Sequence, residues 1–306
     1  MPVKVPSSLP AVELLREENI FVMENQRAEQ QDIRPLHIAI INLMPLKIIT
    51  ETDLLRLISN SPLQIELDLV VPASYNSRNT PREYLDTFYK TFDEVRHRNY
   101  DGLIITGAPL DFVAYEEVEY WKEMTEIFDW AATHVTSTLY ICWAAIAALY
   151  HRYGINKHIL DKKLFGVFEH HILDSVKNPL LRGFDDTFYV PHSRHCEVRR
   201  EEIEKVEGLK ILTYSQEAGV HIVMDGNGRD FYVQGHAEYA PNTLDNEYRR
   251  DIGKGLEIDI PKNYYRDDNP ANEPLVRWRS NGNLLFSNWL NYFVYQLTPY
   301  DLDKKQ

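Results

Sequence analysis

Three residues of this 306-residue chain have types and settings suited to covalent catalysis: Cys142, His236 and Glu238. Cys142 lies in TLYICWAAIAA, where an apolar run passes into an alanine-rich segment. A nucleophile at such a strand-to-helix junction is held on a sharp turn, with its sulfur exposed above the sheet edge. It also faces the positive end of the helix dipole, which favours thiolate. The backbone N–H of Trp143 is then placed to meet a developing oxyanion. Downstream, VQGHAEY puts His236 and Glu238 two residues apart, on one side of an extended segment. That spacing lets Glu238 orient His236 while His236 deprotonates Cys142, with Gly235 letting the backbone turn just before the histidine. Each piece also has a plainer reading. Cysteine is often simply buried, and a surface His beside a surface Glu is common. The usual nucleophile elbow carries Gly two residues to either side, where this chain has Tyr140 and Ala144.

Other reactive residues carry less weight. His192, His195 and Cys196 in HSRHC sit too close together for the separated ligand pairs of structural zinc, so no metal site is expected. His170 and His171 point to opposite sides of an extended chain and read as packed or solvated. Cys196 has no helix junction around it and reads as an ordinary thiol.

The elements that must position Cys142 and His236 are legible as an alternation. Residues 36–43 (LHIAIINL) form an apolar run of the kind buried on both faces of a parallel sheet. A helix is expected over 51–59, strands over 64–71 and 100–106, a helix over 121–134, a strand over 136–141 and a helix over 143–153. That order predicts a doubly wound α/β sheet. Short strands follow at 209–215, 219–224 and 230–234, the last two joined by Asp225-Gly226-Asn227-Gly228, a hairpin signal. Residues 284–297 read as a packed terminal helix, and 263–274 as a polar loop too short to divide the chain. One domain over 1–306 is expected.

Composition narrows the function classes. Hydrophobic residues make up 44% and charged residues 26%, ordinary for a globular chain. Thirty-three Lys and Arg against 46 Asp and Glu leave a net charge of −13, which argues against a broad grip on nucleic acid or anionic lipid. Two cysteines exclude a disulfide scaffold and suit a reducing, cytoplasmic setting. Residues 1–20 lack the apolar run of a signal peptide, and no window is apolar enough to span a bilayer. Glycine-rich dinucleotide and P-loop motifs do not occur.

The order Cys…His-x-Glu is that of the class I glutamine amidotransferase-like fold, and blocks along the whole chain make the resemblance sharper. ENIFVM at 18–23, QDIRPL at 31–36, NLMPLK at 42–47, TETDLLRLISNSPLQ at 50–64 and FYKTFDE at 88–94 carry it. So do DGLIITGAP at 101–109, ICWAA at 141–145, RGFDD at 182–186, PHSRH at 191–195 and RWRSNGNLLFSNWLNYFVYQLTPYD at 277–301. The chain resembles the homoserine O-acyltransferases of methionine biosynthesis. The resemblance implies a flavodoxin-like α/β fold of the amidotransferase type, usually homodimeric. Its substrates would be acyl-CoA and L-homoserine, with no further cofactor and no metal.

Position by position, the resemblance makes Cys142 the acyl carrier, His236 the general base and Glu238 its orienting carboxylate. It makes Lys163 in KKLFG, Ser193 in PHSRH and Arg250 in EYRRD substrate-binding residues; alignment through YRRDI selects Arg250 over Arg249. Asp111 falls at the position tied to donor choice, where Glu accompanies acetyl and Gly succinyl donors. Asp is neither. Two further departures are Ala237, where the family usually has Pro, and Asn281, where it usually has His. Acetyl transfer is the expected reaction, because an Asp111 carboxylate opposes the free carboxylate of a succinyl chain. The alternatives are succinyl transfer, serine O-acetylation, a glutaminase-type amidotransferase, and a binding protein without catalysis, which would have lost part of the Cys142, His236, Glu238 set.

Overall fold

The computed structural model describes residues 35–75, 79–173 and 177–299, together with the backbone of two short paired strands, Val3–Lys4 and Val22–Met23. Apart from Val3–Lys4, the first twenty residues, read above for a leader, and most of the blocks at 18–23 and 31–36 lie outside the described residues.

The apolar runs of the sequence form the middle of a ten-stranded sheet. The strands are β1 (Leu36–Ile41), β2 (Ile65–Val71), β3 (Tyr89–Thr91), β4 (Tyr100–Ile105), β5 (Val135–Ile141), β6 (His158–Ile172), β7 (Thr187–Glu197), β8 (Lys210–Ser215), β9 (Gly219–Met224) and β10 (Asp230–Val233). Their spatial order is β3-β2-β1-β4-β5-β10-β9-β8-β6-β7. The first six are parallel, and from β10 onward each pairing is antiparallel. Every residue of β4 and β5 is buried, as strands covered on both faces require. The expected alternation is therefore present, extended by an antiparallel half.

Helices α1 (Lys47–Ile58) and α2 (Trp121–His134) connect parallel strands, and α3 (Trp143–Tyr153) follows β5. Helix α3 lies close against the sheet because Ala144, Ala145, Ala147 and Ala148 are all buried small residues. It ends on Gly154 at φ 68°, the left-handed cap that glycine adopts without strain. The opposite face is covered by α5 (Arg279–Asn288) and its π-helical continuation Trp289–Tyr295, the terminal helix expected at 284–297. The Trp289 ring lies over Gly102 of β4, where a Cβ would stand 3.0 Å from it, and its Nε1–H donates to Ser137 Oγ at 2.9 Å.

Two features differ from the sequence expectation. Helix α1 begins at Lys47 rather than 51, because its first turn exposes Ile48 and Ile49 instead of burying them. Periodicity toward a core does not register such a turn. The long hairpin β6–β7 was not anticipated, since charged residues interrupt β6 and its first half is largely unburied. Beneath it, Tyr264 and Tyr265 of the expected polar loop are buried with Phe165, Val167, Leu244 and Trp278. Helix α4 (Thr243–Gly253) completes that corner. Among the described residues, no helix is long and apolar enough to cross a membrane.

Candidate active site

The carboxyl ends of β1, β4, β5 and β10 lie along one edge of the sheet, where open α/β sheets place their ligand sites. Ile141 and Val233 are register partners, so the residues that follow β5 and β10 are neighbours. The Cys142 N–H donates to the Val233 carbonyl at 2.7 Å, tying the cysteine backbone to the strand that delivers His236. Cys142 itself adopts φ 52° and ψ −115°, a conformation rare for a residue with a side chain. It turns the chain from strand into α3 within one residue.

Gly107, just after β4, backs onto this turn. A Cβ there would lie 3.1 Å from Cys142 Cβ and 3.6 Å from both Cys142 Sγ and Trp143 N. The missing side chain leaves open the space beside the sulfur and the first N–H of α3. Helix geometry gives that N–H no intrahelical acceptor.

His236 and Glu238 meet as their spacing suggests. Nδ1 of His236 and Oε1 of Glu238 are 2.6 Å apart, both residues are buried, and the imidazole lies within electrostatic reach of the Cys142 sulfur. Burial opposes a charged imidazole, but the Glu238 carboxylate and the Cys142 sulfur override it and hold the His236 pKa well above its usual range. The ring stacks on Tyr239 at 4.2 Å between centroids. The backbone bends at Gly235 as expected, and the glycine also saves space: a Cβ would stand 2.5 Å from Val190 and 2.8 Å from His192 Nε2.

A cavity of about 720 Å³ opens over Cys142 and His236, and Asp111, Lys163, Ser193 and Arg250 line it as well. The residues singled out from the sequence thus converge, with Trp143 contributing backbone. Lys163 is not a free cation in an acidic protein: its Nζ sits 3.2 Å from Glu247 and 3.5 Å from Asp251. Ser193 Oγ donates to Glu247 at 2.5 Å, and Arg250 Nε pairs with Asp251 at 2.7 Å. Glu247 and Asp251 were missed by sequence reasoning. Their i, i+3, i+4 spacing with Arg250 on α4 places all three on one helix face and was the available signal.

Comparison with known proteins bears on this site. The family model described as homoserine O-succinyltransferase matches residues 2–300. A homoserine O-acetyltransferase of Bacteroides thetaiotaomicron is 62% identical over 303 residues, covering 99% of each chain. The chain belongs to this family. Two solved glutamine amidotransferases share its fold. One, from Thermotoga maritima, has a TM-score of 0.52 at 12% identity over 83% of this chain and 96% of its own. The other, from Methylobacillus flagellatus, has a TM-score of 0.53 at 11% identity over 85% and 95%.

Of this chain's departures from the homoserine O-acyltransferase pattern, Ala237 packs on Gly282 of α5. A Cβ at 282 would fall 2.5 Å from the Ala237 carbonyl oxygen, and Asn281 precedes it in the first turn of that helix. Cys196, read as an ordinary thiol, instead donates to Asp111 Oδ1 at 2.9 Å. His170, set aside as packed or solvated, joins His192 and His221 in a buried cluster below the Gly235 turn.

The donors around that cluster fix its tautomers. Gly235 N–H donates to His221 Nδ1 at 3.2 Å, and Arg194 Nε–H to His192 Nδ1 at 3.4 Å, so both neutral rings carry their proton on Nε2. His170 gives Nδ1–H to the Phe168 carbonyl at 3.0 Å and receives His192 Nε2–H at 3.2 Å. Two protonated Nε2 atoms beside the buried Arg194 guanidinium are a poor donor set for a cation. Burial pushes His170 down to about 3 and the other two well below the usual range.

Imidazoles buried neutral bind protons only in the unfolded chain at pH values between their folded pKa and about 6.5. Their contribution is therefore complete above about pH 6.5 and is lost as the pH falls. The melting temperature should drop between pH 7 and 5. In His170→Gln, whose amide oxygen can still accept from His192, the slope of unfolding free energy against pH should be shallower by up to about 1.4 kcal/mol per pH unit. Superimposable slopes would show that His170 titrates as freely in the folded protein as in the unfolded chain.

Proposed function

We propose that this chain moves an acyl group, acetyl in preference to succinyl, from acyl-CoA to the side-chain hydroxyl of L-homoserine through a thioester on Cys142. The observation that carries the reading is the buried His236–Glu238 hydrogen bond beside the Cys142 sulfur, next to an open backbone amide in a cavity that also holds paired charges. Family membership supports homoserine as the acceptor.

The arrangement supports a two-step transfer. Cys142 Sγ, its proton held by His236, attacks the thioester carbonyl of acyl-CoA. The oxyanion is met by Trp143 N–H, and removing one such donor typically raises a barrier by about 2.7–4 kcal/mol. The CoA sulfur leaves with the proton from His236, and the acyl group stays on Cys142. One thioester replaces another, so the step is close to balanced. The homoserine hydroxyl then attacks the acyl-enzyme while His236, now neutral, takes its proton. Collapse expels the Cys142 sulfur and restores the starting pair. An amino-acid acceptor needs a cation for its carboxylate and an anion for its ammonium. Arg250 suits the first, and Glu247, held by Lys163 and Ser193, suits the second.

The acyl preference rests on Asp111 in the cavity wall. Succinyl-CoA carries a free carboxylate at the end of its acyl chain, and like charges about 4 Å apart at an effective dielectric near 20 repel by roughly 4 kcal/mol. A fraction of that exceeds tenfold discrimination. Wild type should therefore favour acetyl-CoA by more than tenfold in kcat/KM, and Asp111→Gly should bring the ratio toward unity. A wild-type preference for succinyl-CoA, or a ratio unmoved in the variant, contradicts the assignment.

Incubation with acetyl-CoA alone should leave one acetyl group on the peptide containing Cys142, and double-reciprocal plots should be parallel. An acyl mark on Cys196 with Cys142 unmodified, or intersecting lines, would rule out the Cys142 thioester route.

A further inference from the structure

The loop that carries Asp111 is pinned at three points. Lys157 Nζ donates to the carbonyls of Leu110 and Val113 at 3.2 and 2.5 Å. The His195 ring packs on Phe112 with centroids 4.9 Å apart. Between them, the Cys196 thiol donates to Asp111 Oδ1 at 2.9 Å. Cys196 is itself well anchored. It is 1% exposed on β7, its carbonyl accepts from the Arg194 guanidinium at 2.6 Å, and the same guanidinium donates to Ala218 O at 2.5 Å. Burial, reinforced by the neighbouring carboxylate, pushes the Cys196 pKa up, so this sulfur keeps its proton and remains a donor.

An aspartate at the mouth of a cavity has several staggered rotamers of similar energy, and some turn its carboxylate away from the ligand. Its side chain is also one methylene shorter than glutamate, so the direction in which it points decides whether its charge reaches an incoming acyl chain. We propose that Cys196 is a specificity-positioning residue, whose S–H holds the Asp111 carboxylate in the cavity wall so that positions 111 and 196 act together in rejecting acyl donors with a terminal carboxylate. The proposal rests on the reading of Asp111 given under Proposed function. It assigns Cys196 no part in carrying the acyl group.

A double-mutant cycle separates the two ideas. Wild type, Cys196→Val, Asp111→Gly and the double variant are compared by kcat/KM for succinyl-CoA and for acetyl-CoA, with Cys196→Ser as the conservative replacement. Cys196→Val should raise kcat/KM for succinyl-CoA fivefold or more, a gain that damage to the fold does not produce. Cys196→Ser, whose hydroxyl donates in place of the thiol, should stay within twofold of wild type in the donor ratio. In the Asp111→Gly background, Cys196→Val should leave the ratio where it was. If Asp111→Gly shifts the ratio and Cys196→Val does not, the positioning role is wrong while the donor reading stands. If Cys196→Val shifts it equally with and without Asp111, Cys196 acts by packing alone and the proposal is overturned. If Asp111→Gly leaves the ratio unchanged, both fall together. Should valine prevent folding at this buried position, Cys196→Ala carries the same comparison.

Discussion

Cys142 holds φ 52° and ψ −115°, a conformation that typically costs a residue with a side chain about 1–3 kcal/mol, and the site is arranged around keeping it there. β5 pulls the chain in from one side, and the buried alanines of α3 pull it away on the other. The Cys142 N–H is spent on Val233, so the turn cannot relax without breaking the link between the two strands that deliver the sulfur and the imidazole. Glycine at 107 is the counterpart of this strain. Any larger residue would fill the gap beside Sγ and Trp143 N that the strained turn opens.

Around that turn the protein handles buried charge in two different ways. His236 sits against a carboxylate and a sulfur, which outweigh burial and keep it in its charged range. A short distance below, His170, His192 and His221 are kept neutral by burial, with Arg194 beside them donating to carbonyls and to His192 rather than to a carboxylate. The contrast lies in the neighbours, since each of these imidazoles is almost wholly buried. Glycine at 235 lets the catalytic segment lie directly on the neutral cluster, which gives His236 a firm floor.

The parallel half of the sheet was legible because doubly covered strands are dominated by apolar residues, as in 36–41 and 100–105 with His37 and Asp101 as exceptions, and because alternation with helices admits few topologies. Cys142, His236 and Glu238 were legible because strand ends and a two-residue spacing are local features. The hairpin β6–β7 was not, since its outer residues are charged and its pairing joins positions far apart in sequence. The same distance hid the partners of known residues. Nothing near Lys163 in sequence announces Glu247, and nothing near Asp111 announces Cys196. The bend at Gly235 was legible, but its packing was not, because sequence shows that a residue is glycine and not which neighbour its absent side chain would strike.

The pairing of His236 with Glu238 and Cys142 is the claim on which the chemistry stands, and ¹⁵N NMR of histidine-labelled protein titrated from pH 5 to 9 tests it directly. The His236 ring should keep the imidazolium signature well above pH 6.5, and Glu238→Gln should move its titration downward while the signals of His170, His192 and His221 stay those of neutral rings. A His236 that is neutral at pH 7 in the wild type, or that titrates identically in Glu238→Gln, would contradict the account.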